Sequence, residues 1–448
     1  MNNEELIKSG LKIATQTKSY VVGKEVLKQV PSIFNEHFAG KKAVIIADDN
    51  TWKAAGEVVY NHMVQAGIDT DKFLIPDKEF HADWKYIEMI DEVLKSSGRI
   101  AVSVGSGVIN DICKLTAYHQ NNQRYLSVAT AASVDGYSSF GASITYQNAK
   151  QTFECPAPIA LVADTDVLAN APKEMTAAGY ADLAAKVPAG GEWMIASEIS
   201  GIEPIQPEAW HILQDVLDEM LSNPEGVAKG DPDAIANLFN GLTLSGFAMQ
   251  AAKSSRPASC CEHLYSHIMD MTHHRYHGKL QSHGFQVAVG TLTMCAIFDE
   301  FLKMDLTKID VDKCVAAWPS LEDEQERARV IFEDFPSPDL GLTQITQKYS
   351  DKETVRKELT KLKQIWPELK EKLRAQVYPY AKMKKMFGIV GAPTEPEHVG
   401  VNRKYLLYRT DFVQLMRWRY NLLDLAKRGC FYDELLHATF GKGGQLVF

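Results

Sequence analysis

The strongest constraint on this chain is a rhythm in its first 165 or so residues, where short β-branched runs alternate with helical repeats. KKAVIIADD (41–49), KFLIP (72–76), RIAVSVG (99–105), YLSVAT (125–130) and APIALVAD (157–164) are apolar runs of strand length. TWKAAGEVVYNHMVQAG and DWKYIEMIDEVLKSSG, between the first three, space their apolar residues as a helix does. Parallel neighbours need a crossover connection, so this alternation predicts a parallel sheet covered on both faces. After about residue 167, AWHILQDVLDEMLSN, DAIANLFNGLTLSGFAMQAAK and KETVRKELTKLKQIWPELKEKLRAQVYPYAKMKKMF keep a helical period with almost no strand signal. The expected fold is therefore an α/β domain over residues 1–166 followed by an all-α domain over 167–448. The charged stretch from 306 to 400 reads as solvated helical surface.

Bulk properties narrow the function. A chain of 448 residues exceeds one compact core, which supports two domains. A net charge of -9 and a pI near 5.8 argue against a nucleic-acid partner, which selects basic surfaces. MNNEELIKSGLKIATQTKSY lacks the apolar core of a signal peptide, and no run approaches the roughly 20 apolar residues of a membrane span. Seven scattered cysteines do not form a disulfide framework. The expectation is a cytoplasmic protein acting on a small molecule.

Two features suggest a nucleotide. VSVGSGVINDICKLTAY sets a Gly-Ser-Gly turn between a strand and a helix, where backbone amides and the helix dipole hold a pyrophosphate. The third glycine of G-x-G-x-x-G is absent, and a plain tight turn uses the same residues. Asp48, Asp49 and Asn50 close the strand AVIIADDN, where an acid either accepts bonds from a ribose or caps the next helix. In the usual dinucleotide fold that acid follows the glycine turn; here it precedes it. As a ribose partner it favours NAD over NADP.

A second constellation has metal-ligand chemistry. SCCEHLYSHIMD puts His263 and His267 on one helical face, as two ligands, as a ligand with an acid/base, or as ordinary surface histidines. LQSHGFQVAVGTL adds His283, and GYADLAAK adds Asp182 among small residues. One carboxylate with two imidazoles and an open position is a catalytic rather than structural ligand set. Equally, each residue alone has ordinary capping or polar duties.

GSGVIND, TAASVDGYSS, GYADLAAK, SSRPASCCEHLYSH and SHGFQVAVG, in this order, resemble the sn-glycerol-1-phosphate dehydrogenases of the iron-type alcohol dehydrogenase, glycerol dehydrogenase and dehydroquinate synthase superfamily. The likeness spans residues 41 to about 300; the last 150 or so match no motif. It implies a Rossmann-like domain, a helical domain and an active site in the cleft between them. It implies Asp182, His263 and His283 as ligands of one divalent ion, zinc foremost, with nickel or iron sharing the chemistry. Asp182 would also sit against the reacting substrate, with His267 and Asp135 as further substrate contacts. The NAD or NADP site would comprise Asp49, Gly105, Ser106, Gly107, Val108, Ile109, Thr130, Ala131, Ala132, Ser133 and Ser139. Cys260 and Cys261 depart from the family's small residues, and the glycine pair of KVPAGGEW obscures the helix after Asp182.

The implied reaction interconverts sn-glycerol 1-phosphate and dihydroxyacetone phosphate in a homo-oligomeric oxidoreductase. A phosphate needs a cation: Arg256 is the first candidate because its guanidinium offers two parallel bonds, with Lys253 and Lys279 behind it. A glycerol dehydrogenase lacking the phosphate pocket, a dehydroquinate-synthase-like lyase, and a binding protein without turnover are the alternatives. Asp182 speaks against the lyase, which places glutamate there.

Overall fold

A computed structural model describes residues 3–77, 80–147 and 149–448. Two compact units emerge, and neither is one continuous stretch. The first comprises Met1–Leu183, Pro207–Ser255 and Ile389–Gly391; the second comprises Ala184–Gln206, Arg256–Gly388 and Ala392–Phe448.

The first unit is organised by strands β1 (Ser19–Gly23), β2 (Ala43–Ala47), β3 (Thr70–Leu74), β4 (Ile100–Gly105), β5 (Leu126–Ala129) and β8 (Ala160–Asp164). They form one parallel sheet in the order β1-β8-β5-β4-β2-β3. Strand side chains alternate between faces, and both faces are covered here. Ala43, Ile45 and Ala47 enter one core with Val102, Val104, Val128 and Val162, while Val44 and Ile46 enter another with Ile87, Ile90 and Ile112. Burial on both sides explains why β2, β4, β5 and β8 read as continuous apolar runs. Each Val or Ile so buried contributes about 1.5–3 kcal/mol.

All five anticipated strands form, and among the described residues of this unit three further strands were missed. β1 is a half-buried edge strand whose apolar run, Tyr20 to Val22, is only three residues long. β6 (Ala142–Tyr146) and β7 (Ala149–Phe153) make an antiparallel hairpin outside the sheet, with Ala142 and Ile144 buried. The helix Pro232–Ala252 belongs to the first unit despite lying beyond the last sheet strand in sequence.

The second unit is helical apart from the short ribbon Arg275–Tyr276 with Lys279–Leu280. KVPAGGEW lies in its own helix, Lys186–Ile195, which follows the helix Lys173–Ala184 almost at once. In the long helix Lys352–Gln376, Asp351 caps the start by accepting from the Thr354 amide. Val355, Leu359, Leu362, Trp366, Leu369 and Leu373 form a buried stripe along it. The charged stretch thus has a solvated face and an apolar seam. No described helix is long and apolar enough to cross a membrane.

Candidate functional site

In the first unit, candidate residues gather at the carboxyl ends of the strands. The strand order reverses between β2 and β4: the chain runs from β2 out to β3, then returns to β4 on the other side. Open parallel sheets bind ligands at such a switch point. It puts the acids after β2 beside the glycine turn after β4. The acid comes early in sequence because the two neighbouring strands are β2 and β4, separated by a whole crossover.

The acids divide their duties. Asp48 caps the following turn, its carboxylate accepting from the Asn50 and Thr51 amides at 2.7 and 2.8 Å. Asp49 follows in the first turn and is exposed. Gly105 ends β4, Ser106 precedes the helix Gly107–His119, and Val108 is half-buried beside buried Ile109. Thr130 donates its amide to the Gly105 carbonyl, and Ala131, Ala132 and Ser133 continue as buried backbone.

Sequence reasoning missed the anchors of the next loop. Lys114, buried on the glycine helix, donates to the Gly136 and Gly141 carbonyls and pairs with Asp111 at 3.3 Å. Asn110 donates to Gly136 and accepts from Tyr125 and Ser127 hydroxyls. Their signal was present in GVINDICK, where residues 110, 111 and 114 share one side of a helix. Ser139, also buried, donates to the Gly136 carbonyl.

That loop carries Asp135, whose amide donates to Asp182 Oδ2 at 2.9 Å, while its own Oδ2 accepts from Ser245 at 2.8 Å. The approach needs Gly179, because a Cβ there would lie 1.9 Å from the Ala132 carbonyl oxygen. Asp182, on the helix Lys173–Ala184, is thereby set against Asp135.

In the second unit, His263 and His267 lie on the helix Cys261–Met271, and His283 begins the helix His283–Phe301. The helices approach closely at Gly290, where a Cβ would lie 2.0 Å from the Glu262 carbonyl oxygen. The His263 and His283 ring centroids are 5.4 Å apart. His263 Nδ1 lies 2.8 Å from Glu262 Oε1, so the proton belongs on Nδ1 and Nε2 carries the lone pair. Ser266 gives its one hydroxyl proton to Gln286 Oε1 at 2.7 Å, so it accepts from His283 Nδ1 at 3.1 Å. His283 Nε2 is therefore also basic. Two imidazoles with basic Nε2 atoms, each held through Nδ1, have the chemistry of metal ligands.

His267 is half-buried, and Arg417 Nη2 donates to its Nε2 at 3.4 Å. Arg256, the phosphate candidate of the sequence, is buried. Its guanidinium donates to the Glu192 and Tyr420 carbonyls at 2.9 and 3.0 Å and to Cys260 Sγ at 3.0 Å. These bonds make it a brace between distant segments. Lys253 ends its helix in the left-handed conformation, and Lys279 is exposed on the ribbon. Cys260 and Cys261 are buried thiols. Burial first, then neighbouring Cys260 and Glu192, pushes the Cys261 thiol up. Glu192 accepts from the Cys261 and Leu422 amides, yet burial raises its pKa.

A family model described as iron-containing alcohol dehydrogenase matches residues 21–172. A glycerol-1-phosphate dehydrogenase [NAD(P)+] of Bacillus licheniformis is 31% identical over 64% of this chain and 71% of that protein. One from Pyrococcus horikoshii is 30% identical over 62% and 77%. The Bacillus velezensis protein of that name is 36% identical, but the match spans only 58% of its length and 51% of this chain. Among solved structures, a probable glycerol dehydrogenase from Sinorhizobium meliloti covers 94% of this chain and 98% of its own at a TM-score of 0.56 and 15% identity. A maleylacetate reductase from Agrobacterium tumefaciens covers 95% and 96% at a TM-score of 0.58 and 13% identity. At those identities the structures establish the fold.

Proposed function

The chain belongs to the glycerol-1-phosphate dehydrogenases, and from that premise we propose that it is an oxidoreductase interconverting sn-glycerol 1-phosphate and dihydroxyacetone phosphate with NAD or NADP. The carrying observation is the histidine pair, with Glu262 and Ser266 holding Nδ1 so that both Nε2 lone pairs are presented. Asp182 completes a one-carboxylate, two-imidazole set for a divalent ion, with zinc favoured and nickel or iron compatible. Such an ion, when bound, supplies Lewis acidity at the reacting oxygen.

The remaining work belongs to the chain. Asp135 is oriented by Ser245 and by its amide bond to Asp182, and it positions the substrate's hydroxyls. His267, held by the Arg417 guanidinium at Nε2, contacts the substrate and orients it. Amides of Gly105, Ser106, Gly107, Val108 and Ile109 receive the pyrophosphate at the helix start. Thr130, Ala131, Ala132, Ser133 and Ser139 line the rest of the cofactor site. Asp49 accepts from the ribose hydroxyls, which disfavours a 2′-phosphate. The reading carries a cytoplasmic location, a homo-oligomer and a small phosphorylated substrate.

The test is a panel of dihydroxyacetone phosphate and dihydroxyacetone with NADH and NADPH, on protein whose metal content has been measured. Faster NAD(P)H oxidation with the phosphorylated ketone is expected. Preference for dihydroxyacetone would move the chain to a glycerol dehydrogenase activity, and absence of net NAD(P)H turnover would exclude a dehydrogenase.

A further inference from the structure

We propose that Arg417 and Arg419, which no motif assigned, form the anion subsite that receives the substrate's phosphate; this rests on the function proposed above. Arg417 reaches His267, placing a guanidinium beside the histidine assigned to the substrate. Arg419 pairs with Glu203 Oε1 at 3.5 Å, and Arg256 approaches Glu203 Oε2 at the same distance. One carboxylate is therefore shared by two guanidinium groups, with a third close by.

The electrostatics agree with that count. Burial lowers the Arg417 pKa although Cys260, Glu262 and Glu203 all act to raise it. Burial and then the like charge of Arg417 pull Arg419 down to about 10. Each arginine is thus held against a cost that a phosphate dianion would relieve. Arginine suits the task because its planar fork matches two phosphate oxygens.

The segment carrying them is fixed in place. It connects the helix Arg403–Leu415 to the helix Leu422–Arg428, whose start Asn421 caps. The Trp418 amide donates to Gln344 Oε1 at 2.7 Å. The Tyr420 carbonyl accepts from Arg256. Arg256 therefore serves the phosphate indirectly, as a positioning residue for the strap that bears the other two. A preorganised strap lowers the ordering cost of binding.

Arg417→Gln and Arg419→Gln are compared with wild type in two measurements. Calorimetry with inorganic phosphate reads the subsite directly: at least about 30-fold weaker binding is expected, the scale of truncating a buried charge pair. The ratio of kcat/KM for dihydroxyacetone phosphate over dihydroxyacetone should fall by a similar factor, with metal content and circular dichroism retained. Arg417→Lys, which keeps the charge but loses the fork, should fall between and guards against a folding failure of the glutamine variant. Phosphate affinity and substrate ratio equal to wild type would overturn the arginine subsite while leaving the dehydrogenase standing. A wild type inactive on dihydroxyacetone phosphate would instead remove the activity, and the phosphate titration would still decide the subsite.

Discussion

The glycine turn at 105–109 and the histidine pair at 263 and 283 are built by opposite means. The turn uses backbone and small side chains: Gly105 closes a strand, Thr130 bonds to its carbonyl, and Ala131 and Ala132 bury without polar groups. The histidines depend on other side chains. Glu262, Ser266 and Gln286 determine which ring nitrogen bears the proton. The first region should respond to changes of size and the second to changes of hydrogen bonding and charge.

The largest effect is expected at the second region. His263→Ala should bring activity to the assay floor and strip the metal, measured by mass spectrometry on dialysed protein. Full metal occupancy with retained turnover would take His263 out of the ligand set. Next, Glu262→Gln keeps the shape but loses the charge that holds the His263 proton. Metal affinity should weaken about 10–100-fold, read by competition with a chelator. An unchanged affinity would make Glu262 merely structural.

The first region should give smaller effects of a different kind. A Cβ at Gly107 would lie 2.8 Å from Val134 Cγ2. Gly107→Ala should raise the KM for NADH about tenfold, from overpacking of about 1–3 kcal/mol, with the metal in place. Adding Val134→Ala should restore it, because size is the cause; failure of that rescue would break the contrast between the regions. Smallest, Asp49→Ala should shift the NADPH-to-NADH preference by about 2–5-fold, equivalent to about 0.5–1 kcal/mol, the low end for one net hydrogen bond at an exposed site. No shift would leave helix polarity as Asp49's only duty.

Much was legible because it is local. Continuous apolar runs identify β2, β4, β5 and β8, which bury both faces of the sheet whatever their partners, and the short run KFLIP identifies the half-exposed edge strand β3. The glycine turn and the histidine spacing could also be read directly, because backbone freedom and helical pitch operate within a few residues. β1 escaped because its apolar run is only Tyr20, Val21 and Val22 between Ser19 and Gly23, and the β6–β7 hairpin because its apolar residues are interspersed among as many polar ones.

What only the tertiary structure decided depends on partners distant in sequence. Pairing of β2 with β4 explains why an acid preceding the glycine turn ends beside it. Packing against the helices Asn3–Ile13 and Thr165–Ala169 and the turn Asp135–Tyr137 places residues 207–255 in the first unit although their pattern is purely helical. The sequence shows the charge of Arg256 but not its protein acceptors; the Glu192 and Tyr420 carbonyls that accept from it lie 64 and 164 residues away. Arg417 was invisible for the same reason, its link to His267 spanning 150 residues. Composition and periodicity determine which faces are buried, because burial is a property of each segment's own surface. Which side chains meet there is settled by long-range packing, whose hydrogen-bond partners leave no local mark.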